Sequence, residues 1–247
     1  MILITRPKAE ADKLFHELKA IGISSHIDSL SSIVTKRKKI SVKKNHAVLI
    51  SSPRAAKILS LSQTVSKNIP FLIIGKVSER VLIKAKFKNI IKTFQDSISL
   101  NNYLKKNKDS LFGVNLLAGI DHKTGTVTNF SIKNKITTLG IPLHKDEVYK
   151  TLFKKKLKEQ TIKLIKSDKI KLTVVYSQQN ARVLINLMND KKIIKNSKKI
   201  KYLCLSKQIG KIIESNGFES FNPSRPSQKL LFNMILKLSK KTSRRVQ

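Results

Sequence analysis

Short apolar runs that end in small or hydroxyl residues, each handing over to a segment of helical period, recur along this chain in two sets of similar form. The first set is Ile2-Leu3-Ile4-Thr5-Arg6-Pro7, Val48-Leu49-Ile50-Ser51-Ser52-Pro53 and Leu72-Ile73-Ile74-Gly75-Lys76-Val77-Ser78. The second is Leu116-Leu117-Ala118-Gly119, Val174-Val175-Tyr176-Ser177 and Tyr202-Leu203-Cys204-Leu205-Ser206. An apolar run with no polar alternation reads as a strand buried on both faces, and the periodic stretch behind it reads as a helix. Strands alternating with helices at this spacing predict parallel sheets flanked by helices, joined by right-handed crossovers. Each helix start carries N–H groups with no partner in their own helix, and such groups bind anions. Two sets of them predict two similar lobes with a site for a polyanion between them.

Finer patterning fills in the elements. Pro7 suits the first turn of a helix in which Ala11, Leu14, Phe15 and Leu18 recur at helical spacing, and Gly22 suits its C-terminal cap. Residues 26–34 and 144–152 are extended and could pair with each other. Strands are expected at 47–51, 71–74, 89–94, 113–118, 171–176 and 200–205. Helices are expected from Pro53, from the turn at Gly75 to about Lys86, and at 97–108, with Ser97 or Ser99 as N-cap. Others are expected up to Leu139-Gly140 after a polar loop through Asp121 and Thr124, and at 156–166, 179–188, 207–216 and about 228–237. Lys36-Arg37-Lys38-Lys39 reads as a solvated turn, and the tail 240–247 as disordered.

Composition changes this picture little. The 247 residues are 40% hydrophobic, enough for real cores. No apolar run approaches the roughly 18 residues of a membrane span, and Met1-Ile2-Leu3-Ile4 is too short for a signal-peptide core. With Cys204 as the single cysteine, no intrachain disulfide can form, and the chain reads as cytoplasmic. A net charge of +36 invites a nucleic-acid partner. The excess is nearly all Lys, spread along the chain and accompanied by abundant Ile and Asn, which is the profile of an AT-rich genome. Arg, the better residue for bidentate phosphate and base contacts, is scarce. No specific nucleic-acid partner is therefore expected, although the field would attract any anionic ligand.

Several chemistries lack their signatures. No Walker loop and no G-x-G-x-x-G is present. His16, His26, His46, His122 and His144 are scattered, with neither Cys204 nor an acidic residue at metal-ligand spacing, so no metal site is expected. Ser51, Ser52 and Ser177 lack the frame of a nucleophile elbow; they suit helix capping and hydrogen bonding to a ligand. Cys204, inside an apolar strand, reads as core. Tyr149, in Glu147-Val148-Tyr149-Lys150-Thr151, either packs on a neighbouring strand or, if its segment bridges two lobes, faces a cleft where it could protonate a leaving group.

Taken together, these motifs resemble the uroporphyrinogen-III synthase family almost from end to end. Leu3-Ile4-Thr5-Arg6-Pro7 resembles its first strand and turn, Ser51-Ser52-Pro53-Arg54-Ala55 its Thr-Ser-x-Asn-Ala turn, and Ile74-Gly75-Lys76-Val77-Ser78 its Val-Gly-x-x-Thr turn. Val148-Tyr149-Lys150-Thr151 matches the family's Val-Tyr-x-Thr. Arg54, Ser78, Ser206 and Ile209 stand where the family usually has Asn, Thr, Gly and Thr. The resemblance implies an α/β fold of two lobes, each a parallel sheet flanked by helices, joined by a two-stranded antiparallel linker. It places the first lobe at 1–33 and 153–247, the second at 36–143, and the linker strands at about 26–35 and 144–152. It further implies a cofactor-independent lyase of tetrapyrrole biosynthesis that cyclises hydroxymethylbilane to uroporphyrinogen III, expected to act as a monomer. Tyr149 is the implied catalytic residue, and Thr5, Arg6, Ser51, Ser52, Gly75, Ser78, Gly119, Ser177 and Ser206 the implied substrate-binding ones. A non-catalytic anion-binding relative and a basic nucleic-acid-binding protein are the alternatives.

Overall fold

The structure, a computed structural model, describes residues 1–36, 39–121 and 130–243. The chain opens with β1 (Ile2–Ile4), α1 (Lys8–Lys19) and β2 (Ser25–Ile27). There follow β3 (Ser31–Thr35), β4 (Ala47–Ile50), α2 (Pro53–Ser60), β5 (Phe71–Ile74), α3 (Lys76–Lys84), β6 (Ile90–Phe94) and α4 (Ser97–Asn107). After a 3-10 turn at Lys108–Ser110 come β7 (Val114–Asp121), α5 (Phe130–Thr138) and β8 (Leu143–Phe153). The last part holds α6 (Glu159–Lys166), β9 (Leu172–Val175), α7 (Gln178–Asp190), α8 (Ile194–Ser197), β10 (Lys201–Cys204), α9 (Lys207–Glu214), β11 (Ser220–Phe221) and α10 (Gln228–Ser243).

Two sheets result, of order β11-β10-β9-β1-β2 and β3-β8-β7-β4-β5-β6. The first is parallel throughout, and in the second every pairing from β8 to β6 is parallel. The chain divides into two compact units, Met1–Ser32 with the chain from Phe153 on, and Ile33–Leu152. In each unit the central strands bury both faces, with alternate side chains feeding two separate cores. In β4, Val48 and Ile50 join one core while Ala47 and Leu49 join the other. In β9 and its neighbours, Val175, Tyr202 and Cys204 face one way, and Leu172, Val174 and Leu203 the other. Covered strands of this kind need no polar face, which is why they read as unbroken apolar runs.

The helix ends follow local rules. Gly22, at φ +73°, closes α1 as expected: its own N–H donates to Lys19 O and that of Ile23 to Leu18 O. Lys86, Asp168 and Lys192 take the same left-handed position behind α3, α6 and α7 without being glycine.

Several expectations need correction. The N-cap of α4 is Asp96, not Ser97 or Ser99; its carboxylate accepts from Ile98 N and Ser99 N, and Ser99 answers as the capping-box partner. Helix α6 begins at Glu159 rather than 156, because the backbones of Lys154 and Lys158 donate to Leu30 O and to Asp28 instead of continuing a helix. Helix α10 continues past Lys237 to Ser243, with Leu238 extending the apolar stripe of Leu231 and Ile235. Of the stretch 26–34, only the later part lies beside β8, because β2 pairs with β1 in the other sheet. Leu143–Thr151 of β8 runs in parallel register along β7. Lys36 is not simply solvated: it pairs with Glu147. Arg37, Lys38, His122, Thr124 and residues 244–247 lie outside the described residues.

Candidate active site

In a parallel sheet the helix starts gather at the carboxyl ends of the strands, and there lie the expected site residues other than Gly119 and Tyr149, which sit inside β7 and β8. In the unit of Ile33–Leu152, Ser51 and Ser52 follow β4. Ser52 caps α2, its Oγ accepting from Ala55 N at 3.1 Å, with Pro53 in the first turn. Gly75 follows β5 at φ +86°, a left-handed conformation that favours glycine, and its N–H donates to Phe94 O at 2.8 Å. Ser78, in the first turn of α3, is fully buried, and its Oγ has no hydrogen-bond partner. Tyr149 is 6% exposed, its ring part of the core that holds Ile50 and Leu117. Its hydroxyl lies 3.4 Å from Ser52 Oγ, so the phenol oxygen stands at the strand-end rim although the ring is packed.

Gly119 departs from expectation. It is not at a strand-to-helix turn, because β7 runs on to Asp121. A Cβ at this position would come within 2.1 Å of Tyr149 Cε2.

In the other unit Thr5 follows β1. It is fully buried, and its hydroxyl donates to Val174 O at 2.8 Å, so its one proton is committed inside the fold. Its carbonyl accepts from Leu30 N and Asn180 Nδ2. The β1–β9 register pairs Ile4 with Val174, and two residues beyond it the Arg6 guanidinium lies 4.0 Å from the centre of the Tyr176 ring. Arg6 Nε is buried without a hydrogen-bond partner. Burial pushes the Tyr176 phenol above its ordinary range, with Arg6 acting in the opposite direction. Ser177 caps α7 through Asn180 N at 3.1 Å. Ser206 is the N-cap of α9 but makes no side-chain cap bond. Ile209 is buried in the core.

Two features here had little sequence signal. Tyr176 sat in a recognised strand end, but its role as the platform for Arg6 depends on a pairing across the whole chain. Asp28, fully buried, accepts from Lys154 Nζ at 2.8 Å, Lys158 N at 2.9 Å and Thr161 Oγ1 at 2.8 Å. Thr161 gives its proton to Asp28, so His26 Nε2, 2.9 Å from the same oxygen, is the donor to it. Burial, then Lys158, lowers the His26 pKa against the pull of Asp28. Only an isolated Asp in an extended stretch hinted at this cluster.

Other chemistry is sparse. Cys204 is fully buried, and burial raises its thiol pKa to about 12. Among the described residues no three His, Cys, Asp or Glu side chains group so as to hold a metal ion, and no helix is long and apolar enough to cross a membrane.

The family model described as uroporphyrinogen-III synthase HemD matches residues 12–233. No curated protein sequence matches the chain. Among solved structures, the uroporphyrinogen-III synthetase of Helicobacter pylori aligns at TM-score 0.62 and 13% identity, covering 96% of this chain and 98% of that one. A mutant uroporphyrinogen III synthase of Thermus thermophilus aligns at TM-score 0.60 and 12% identity, covering 99% of each chain. At such identities the structures speak for the fold, while the family model speaks for kinship along most of the chain. The chain belongs to the uroporphyrinogen-III synthase family.

Proposed function

We propose that this chain closes hydroxymethylbilane to uroporphyrinogen III as a cyclising hydro-lyase, with Tyr149 assisting departure of the terminal hydroxyl. The observation that supports a role for Tyr149 is the placement of its hydroxyl, 3.4 Å from Ser52 Oγ at the carboxyl end of the strands, in a residue otherwise packed in the core. The phenol donates its proton as the carbon–oxygen bond breaks, so the hydroxyl leaves as water. The electron-rich pyrroles stabilise the resulting cation. Attack on it by the last ring forms a spiro intermediate, whose opening and reclosure invert ring D. Closure releases a proton from carbon, which restores the phenol.

The substrate carries many carboxylates, and orientation decides between the spiro route and direct closure. First-turn N–H groups of α2, α3, α7 and α9, with Ser51, Ser177, Ser206 and Arg6, supply donors for those carboxylates. Thr5 contributes its position rather than its proton, which Val174 O holds. No specific nucleic-acid partner is needed for this reading, and one chain suffices.

The test is the product. Purified protein given hydroxymethylbilane, with no metal or cofactor added, should yield the type III isomer on chromatographic separation. Only the spontaneously formed type I isomer would reject the proposal. Tyr149→Phe removes one oxygen and keeps the ring, so the fold should persist while kcat falls about 100-fold or less. Unchanged turnover would remove Tyr149 from the chemistry.

A further inference from the structure

We infer that Gly119, together with a β-bulge opposite it, is a positioning device that aims Tyr149 at Ser52. The inference rests on the reading of Tyr149 as the proton donor, and it assigns Gly119 a function other than holding substrate.

Register is the first observation. Glu147 of β8 pairs with Ala118 of β7, yet Tyr149 pairs with Gly119, the very next residue. Val148 is therefore an extra residue, and the alternation of β8 is reset at this point. Paired residues share a face, and Gly119 lies on the same face as Leu117, which belongs to the core beneath α2 and α3. Val148 and Tyr149 both pack into that core, whereas strict alternation would leave Val148 there and turn Tyr149 to the opposite face. The bulge therefore puts the phenol on the side where Ser52 caps α2.

Clearance is the second. In the sheet β7 lies between β8 and β4, and Ser52 follows β4. Strands are spaced about 4.8 Å apart, so a side chain on β8 must cross β7 to reach a residue behind β4. Tyr149 crosses at Gly119: an added Cβ would lie 2.1 Å from Cε2, 2.3 Å from Cζ and 2.7 Å from Cδ2 of its ring. No side chain fits under the ring, and with the phenol 6% exposed the ring has little room to yield. Glycine at 119 is what lets the hydroxyl lie over the strand.

A double-mutant cycle on the full-length protein tests this. Gly119→Ala should lower kcat for type III product by about the same factor as Tyr149→Phe. The double variant should be no slower than either single one, because each removes the same positioned oxygen, and KM should change less than the rates do. Factors that multiply in the double variant, or a folded Gly119→Ala enzyme with wild-type kcat in a protein where Tyr149→Phe is slow, would overturn the inference. A second measurement is independent of catalysis. With 13C-labelled tyrosine, the signal lost in Tyr149→Phe identifies Tyr149, and that signal should shift in Gly119→Ala. If Tyr149→Phe turns over normally, the catalytic reading falls, and the shift alone decides the positioning; an unmoved signal refutes it. Should Gly119→Ala fail to fold, Tyr149→Ala opens the space, and Gly119→Ala added to it should fold as Tyr149→Ala does. Failure of that rescue would also refute the contact.

Discussion

Replacing Asp28 by Ala should destabilise its unit by about 3–5 kcal/mol, a figure built from the contacts the carboxylate makes. Asp28 is fully buried between the segment that leaves this unit and the one that returns to it. Its carboxylate accepts from Lys158 N at 2.9 Å and Thr161 Oγ1 at 2.8 Å, and pairs with Lys154 Nζ at 2.8 Å. Removing the acceptor strands the first two donors, and a hydrogen bond to a charged group contributes roughly 1.5–3 kcal/mol. Lys154 adds little, because its side chain is 37% exposed and can turn into water. Both donors bond the same oxygen, Oδ2, so the amide oxygen of Asp28→Asn can keep both bonds and loses only their charge assistance, and about half the loss is expected. Cys204, the single cysteine, is buried in the core of the same unit, so its labelling by a thiol reagent in urea reports the unfolding of that unit. An Asp28→Ala protein whose Cys204 protection falls by less than about 1 kcal/mol would refute the view that these bonds hold the two segments together.

Further outcomes follow from the same geometry. In the native state without urea, Cys204 should resist thiol reagents at neutral pH, because burial holds its pKa at about 12; rapid labelling of the folded protein would contradict its place in the core. Glu147 is held at about 2, below its ordinary 4.5, by hydrogen bonds from Lys145 and then Lys36. A depressed pKa gives stability that is complete above about 4.5 and lost as pH falls towards about 2, so Glu147→Gln should flatten the acid limb of the unfolding profile in that window. An identical slope in wild type and variant would show that the pair contributes nothing. Binding to duplex DNA should be independent of sequence and largely lost at physiological salt, as measured by fluorescence anisotropy; a tight complex with one preferred sequence under those conditions would restore the nucleic-acid alternative.

What the sequence determined by itself is local. Ala47–Ile50 and Leu172–Val175 are apolar runs because parallel strands covered on both faces need no polar side, and so they could be read as strands. Ser52 and Ser177 could be read as caps because each bonds an N–H three residues ahead, within one turn. Gly22 could be read as a helix end because a left-handed residue is needed there. The tertiary structure decided whatever depends on partners distant in the chain. Asp28 meets Thr161 across 133 residues, and Thr5 meets Val174 across 169, through strand order that hydrophobic pattern leaves open. Gly119 looked like the end of a strand and proved to lie inside one. A bulge shifts pairing without marking composition, and only the crossing ring of Tyr149 shows why a side chain is absent there. Hydrophobic pattern fixes which residues are buried, whereas register and side-chain direction are settled by packing between segments distant in the chain.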